Sequence, residues 1–220
     1  MAQTSSLVFA GIAPHPPIMV PEVGRDAIAE VRSSIDAMAA LTERVIRSGA
    51  DTVVIISPHA PLEANAFIAY DGPKLFGDFS NFRAATATVH AELDEELLTE
   101  IARVTSEQEL PVFRIKGHHL DHGTAVPLYF LQSNGWTGRV IALGYSFLSN
   151  EDHVRFGKCV RQAIEQIGNE IQAEQPISVP QSGRVKVKGQ RRPPRQFDRV
   201  INFMFPLALT PAFSLLFSQS

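Results

Sequence analysis

Short apolar runs alternate with amphipathic stretches along most of the chain. Residues 7–13, LVFAGIA, are an apolar run stopped by Pro14, the pattern of a strand buried on both faces. Residues 26–48 place Ile28, Val31, Ile35, Met38, Leu41 and Val45 three and four positions apart. That spacing makes one helical face, and Gly49 supplies the stop. Residues 52–57, TVVIIS, form a second buried run, stopped by Pro58. Strand, helix and strand in this order predict a βαβ unit, hence a parallel sheet with a right-handed crossover.

The alternation continues. Residues 66–70 read as a strand leading into a glycine-containing loop over 71–81. Residues 92–104 read as a helix with Leu93, Leu97, Ile101 and Val104 inward, followed by a strand at 111–115 and a short helix at 126–131. Residues 139–145 are another buried strand. Ser149 or Asn150 can cap a helix to about Ile171, with Phe156, Val160, Ile164 and Ile167 inward. The pattern predicts a three-layer α/β domain with a central, mainly parallel sheet. Near residue 173 it stops, and an irregular C-terminal tail is expected. Residues 175–196 are rich in Pro, Gln, Arg and Lys and read as linker or disorder. Residues 200–217 carry no charge. They are expected to hide their apolar surface against the domain or a partner. Length alone also permits a membrane contact by 200–217, against which stand Pro206, Pro211, Asn202, Thr210 and Ser214.

Composition narrows the class. Of 220 residues, 45% are hydrophobic and 20% charged, which excludes wholesale disorder and fibrous repeats. The formal net charge is −3, so no global nucleic-acid footprint is present and no nucleic-acid partner is expected. The average conceals an asymmetry: residues 1–183 carry a net −9 and residues 184–220 a net +6. One cysteine, Cys159, excludes an internal disulfide framework and a cysteine-based zinc site. With no basic segment before the first apolar run, a secretory signal is not expected and a cytoplasmic location is.

The histidines change the picture most, since two of them occupy matching places. One strand runs into Pro14-His15-Pro16-Pro17 and another into Pro58-His59-Ala60-Pro61. Each imidazole therefore follows the carboxyl end of a buried strand, the edge at which open α/β sheets bind ligands. Neutral imidazole is a common ligand for Fe, Zn, Cu or Ni, so His15 and His59 are the candidate metal pair. Two rings on one ion require nitrogens about 3–4 Å apart, and the pair is expected on adjacent strands. The third group is Gly117-His118-His119-Leu120-Asp121-His122-Gly123-Thr124. Here His122 is the candidate acid/base, because its intrinsic pKa lies near neutrality. Asp121 can cap the following helix or orient an imidazole. His90, His153 and Cys159 read as structural. Ser57 and Ser146 lack a nucleophile elbow, and the chain has no glycine-rich phosphate loop.

These motifs carry a resemblance. Residues 7–24, LVFAGIAPHPPIMVPEVG, with VVIISPHAP and HHLDHGTAVPLYFL in that order, resemble the class III extradiol dioxygenase superfamily of LigB-like proteins. They are especially similar to the branch of AmmeMemoRadiSam system protein B and Memo-like proteins. The resemblance covers residues 7–170. It makes residues 1–172 a LigB-like domain, and leaves 173–220 as a basic, proline-rich linker and apolar tail.

The resemblance implies a non-haem Fe(II) site, with zinc as the alternative ion, on His15 and His59. It implies catalysis by His122 with Asp121, and substrate contact by His118 and His119. The implied substrates are a small aromatic diol of catechol type and O₂, and the implied assembly is a homo-oligomer. Two other functions fit the same pocket: a non-catalytic Memo-like binding module, and a hydrolase using zinc-bound water. The family's later glycine-aspartate-leucine-serine-histidine segment and its C-terminal glutamate have no counterpart after Ile167. Glu22 and Asp121 are the carboxylates available in their place. Without a third ligand, metal affinity and ring cleavage are expected to be weak.

Overall fold

The computed structural model describes residues 6–174 and 200–203. Strand β1 (Leu7–Gly11) is followed by a 3₁₀ turn (Pro17–Met19), a one-turn helix α1 (Pro21–Gly24) and a 3₁₀ segment (Arg25–Val31). Helix α2 (Arg32–Ser48) leads into β2 (Thr52–Ser57), β3 (Phe67–Asp71), β4 (Lys74–Phe79) and β5 (Ala84–Glu92). Then come α3 (Glu95–Glu107), β6 (Val112–Lys116), α4 (His122–Ser133), β7 (Arg139–Gly144), α5 (Asn150–Glu174) and β8 (Val200–Phe203).

Six strands form the main sheet in the order β1-β8-β2-β7-β3-β6. The first four run parallel, β3 lies antiparallel to β7, and β6 runs parallel to β3. The sheet is thus mixed and mainly parallel, with helices on both sides. Helices α2 and α4 pack together, as do α3 and α5. The centre of the sheet is the driest part: Val53, Val54, Val140, Ile141, Ala142 and Leu143 are fully buried. Continuous apolar runs are what a strand covered on both faces requires.

Local chemistry sets the boundaries. Gly49 closes α2 at φ 68°, a left-handed conformation that suits glycine. Asp94 caps α3 by accepting from the Leu97 amide, and also takes the Thr52 hydroxyl at 2.7 Å and an Arg139 guanidinium at 3.1 Å. Ser149 caps α5 through the Asp152 amide.

Three expectations change. The helix expected over 26–48 is α-helical only from Arg32, with the 3₁₀ segment before it. The stretch read as a loop over 71–81 contains β4, which pairs with β5 in a two-stranded ribbon. That places His90 in β5 rather than at a helix start. Third, β1 and β2 are not neighbours, because β8 pairs in parallel with both. Within the tail, residues 200–203 form β8; a strand lying between two others satisfies its backbone groups on both sides. The linker or disorder expected over 175–196 lies outside the described residues, as does most of 200–217. Among the described residues, no helix is long and apolar enough to cross a membrane.

Candidate metal centre

Strands β1, β8 and β2 run in one direction, so the loops after β1 and β2 leave the same edge of the sheet. The prolines beside each histidine restrict both loops. Across the width of β8, His15 Nε2 and His59 Nε2 come to 3.0 Å from each other. The rings meet edge to face, with centroids 5.0 Å apart. Two lone pairs at this distance repel unless a proton or a cation lies between them. For bonds of about 2.0–2.1 Å, a 3.0 Å separation matches two donors roughly 90° apart around one ion. The donor set therefore fits a divalent transition metal.

His122 reaches the same place from another direction. Strand β6 runs opposite to β2, so it does not lead to the histidine edge. Residues 117–121 make the return, fastened by the Leu120 amide to the Phe76 carbonyl at 2.8 Å. Helix α4 then starts at His122. The His122 ring lies 4.0 Å from the His59 ring and 6.1 Å from the His15 ring, centroid to centroid. Phe82 presents its ring to His122 at 5.4 Å and 74°.

Asp121 organises the centre. It caps α4 through the Thr124 amide at 3.2 Å. It also accepts from the hydroxyls of Ser57, of Tyr70 at 3.0 Å and of Thr124 at 3.1 Å. Ser57 Oγ in turn accepts from the His59 amide at 3.1 Å. A carboxylate has about four lone-pair positions, and four donors occupy those of Asp121. It therefore acts as a hub that ties β2, β3 and α4 together beneath the histidines. Gly123 is part of the packing: a Cβ there would collide with Ser57 Oγ and lie 3.1 Å from the His59 ring.

Burial lowers the pKa of His15, and the neighbouring His59 lowers it further, against smaller opposing effects from Ala13 and Asp121. Burial and His59 likewise depress His122, with Asp121 opposing. Both rings are thus biased toward the neutral form, which is the form that binds metals and accepts protons. Tyr70 is pushed well above the usual phenol range by burial and by Asp121, so it stays a donor.

The structure brings together His15, His59, His122 and Asp121, the last at the helix-start amide. It does not add His118 or His119 to that group. His118 is exposed, and His119 sits 3.3 Å from Asp78 with its ring against Phe76. Nor does it add Glu22, whose carboxylate takes the Tyr129 hydroxyl at 3.1 Å. Among the described residues, no group of three His, Cys, Asp or Glu side chains could hold a metal ion. His153 is structural: its Nε2 accepts from the Ser146 amide, so its Nδ1 donates to the Ser149 carbonyl. Cys159 is buried, with its thiol pushed up by burial. Sequence reasoning missed Ser57, Tyr70, Thr124 and Phe82 as parts of this centre. Ser57 ends a strand two residues before His59, a local signal; Tyr70 has none, being 51 positions from its partner Asp121.

Protein CA_C1420 of Clostridium acetobutylicum is 28% identical over 166 residues, 71% of this chain and 35% of that protein. The chain thus spans about a third of the length of this relative. Two structures of futalosine hydrolase from Helicobacter pylori are weakly similar. A mutant is 13% identical, with TM-score 0.32 over 62% of this chain and 74% of that one. The native form is 12% identical, with TM-score 0.34 over 76% and 99%. The family model for the catalytic LigB subunit of aromatic ring-opening dioxygenase matches residues 10–173, and the chain belongs to that family.

Proposed function

We propose that the chain is a metal-dependent extradiol dioxygenase, cleaving the ring of a small catechol-like diol with O₂. The observation that carries this reading is the 3.0 Å approach of His15 Nε2 to His59 Nε2, with the His122 ring tilted beside that of His59. His15 and His59 would hold Fe(II), which when bound supplies coordination of the diol and activation of O₂. His122, held neutral by burial and by His59, accepts a diol proton at a ring nitrogen. Asp121 sets the position of His122 by capping its helix. Phe82 offers an aromatic surface beside the proton acceptor. Substrate contact by His118 and His119 belongs to the same proposal. Their exposure confines it to groups that project toward solvent.

The test combines metal content with O₂ uptake. Protein loaded anaerobically with Fe(II) is expected to consume O₂ with a catechol, weakly, because no carboxylate joins the pair among the described residues. His15→Ala and His59→Ala should each abolish stoichiometric iron. His122→Ala should retain iron and lose turnover by about 10²–10⁴-fold. Loss of iron in His122→Ala would make that ring a ligand instead. Zinc in the purified protein without O₂ uptake would replace this reading with a hydrolytic or binding one.

A further inference from the structure

The segment after His15 is fastened at two points that lie on other parts of the centre. It comprises the 3₁₀ turn Pro17–Met19 and α1, and its middle is anchored by Met19 and Val20, which are fully buried. At its far end Glu22 accepts from the Tyr129 hydroxyl, at 3.1 and 3.4 Å to the two carboxylate oxygens. Tyr129 lies on α4, seven residues after His122. A separation of seven is about two turns, so both residues lie on one face of that helix. Between them, Gly123 to Leu128 are all buried, while His122 and Tyr129 are half-exposed.

The second fastening is Arg25. Its guanidinium donates to the Arg83 carbonyl at 2.8 Å and to the Glu22 carbonyl at 3.2 Å. Arg83 closes the turn Ser80–Phe82, which presents Phe82 to His122. Arg25 has φ 45° and Arg83 φ 60°, so two non-glycine residues in left-handed conformations meet across one hydrogen bond. Such conformations are unfavourable for side-chain-bearing residues and persist where the surroundings impose them, often at ligand clamps. The segment between the fastenings and His15 is stiff. Pro16, Pro17 and Pro21 each fix φ, and Gly24 comes so close to the Ile18 carbonyl that a Cβ would collide with it. Displacement at residues 22–25 is therefore transmitted toward His15.

We propose that Tyr129 and Arg25 are positioning residues for the metal pair. By clasping the segment 16–25 to α4 and to the Phe82 turn, they hold His15 at its 3.0 Å distance from His59. This rests on the metal reading of the pair. The clasp also links metal and acid/base, since the helix that starts with His122 holds the segment that carries His15.

The experiment uses the full chain as wild type, Tyr129→Phe, Arg25→Ala, Glu22→Gln and, as a remote control, Arg103→Ala. Arg103 pairs with Glu100 and Glu107 on α3 and touches neither clasp. Two quantities are measured. One is amide exchange of Met19 and Val20 in metal-free protein, whose amides bond the carbonyls of Pro16 and Pro17. The other is zinc affinity by competition with a chelator. Tyr129→Phe and Arg25→Ala should each accelerate exchange about tenfold through local opening. Each should weaken zinc about five- to tenfold, below the 10–100-fold typical of groups bonded directly to a ligand. Glu22→Gln, which keeps an acceptor oxygen for Tyr129, should stay near wild type, and Arg103→Ala should change neither quantity. Unchanged exchange in Tyr129→Phe and Arg25→Ala overturns the clasp, whatever the metal result. Faster exchange with unaltered zinc affinity overturns the positioning role, as does an equal loss in Arg103→Ala. A wild type that takes up neither zinc nor iron overturns the proposed function, and the positioning role with it; the exchange data then still decide the clasp.

Discussion

His59 leaves a strand whose six residues are all buried, whereas His15 leaves one in which four of five are only half-buried and the fifth is exposed. The loops are near copies, Pro-His-Pro-Pro and Pro-His-Ala-Pro. Their supports differ in kind. On the His59 side a polar hub does the work: Asp121 collects Ser57, Tyr70 and Thr124, and Ser57 holds the His59 amide. On the His15 side the polar contacts lie further along the segment, where Glu22 takes the Tyr129 hydroxyl and Arg25 the Arg83 carbonyl. The loop depends on prolines, on the buried Met19 and Val20, and on β8 wedged between β1 and β2. Similar sequence can thus be placed by a polar hub directly beneath one histidine and by restricted backbone with remote polar fastenings at the other.

Asn202→Pro in β8 should show the largest effect and act on the His15 side. Asn202 is in register with Ala10 of β1 and Val54 of β2, and proline removes a ladder donor and restricts the backbone. The expected cost is about 3 kcal/mol in denaturant unfolding. A cost below about 1 kcal/mol would show that β1 does not rely on this strand. Asp121→Ala tests the other side. It strands three hydroxyl donors and removes a helix cap, for about 2–3 kcal/mol by the same measurement. Neutral stability in Asp121→Ala would erase the contrast between the two supports.

Gly123→Ala sharpens the comparison further. Its Cβ meets Ser57, Asp121 and the His59 ring, so about 1–2 kcal/mol should be lost, with zinc affinity falling through His59 alone. Tyr70→Phe should give the smallest change, about 1 kcal/mol, since it deletes one hydrogen bond and leaves Asp121 three donors. A larger loss would mean that the phenol hydroxyl is the keystone of the hub.

Much of this was legible in the chain. Unbroken apolar runs marked β2 and β7, which are buried on both faces, and three-and-four spacing marked α2, α3 and α5, which bury one. The same kind of run marked β1 as a strand but overstated its burial, because β1 lies at the edge of the sheet and is only half-buried. The three histidine motifs were equally plain, and the structure brings His15, His59 and His122 together. The ribbon of β4 and β5 was not legible. Its buried face in β5 is Ala84, Ala87, Val89 and Ala91, and alanine gives little contrast against polar neighbours. The reversed direction of β3 and β6 leaves no local mark, since a strand's pattern is the same read either way. Strand β8 was hidden inside a longer apolar stretch, where nothing in the local sequence marks Val200–Phe203 as a strand. The donors to Asp121 were invisible for the same reason: Ser57 and Tyr70 lie 64 and 51 positions away.

The place of β8 in the sheet has a consequence in time. Leu7 pairs with Val200, so β1, at the edge of the sheet, waits for a strand far along the chain before its neighbouring position is filled. Pairings of such long sequence separation form late and slow folding, because loop closure must precede the contact that rewards it. Until then β1 and β2 each present an open parallel edge, and such edges invite pairing with other chains. His15 and His59 are therefore made before the strand that lies between theirs, and come together only once β8 has joined the sheet.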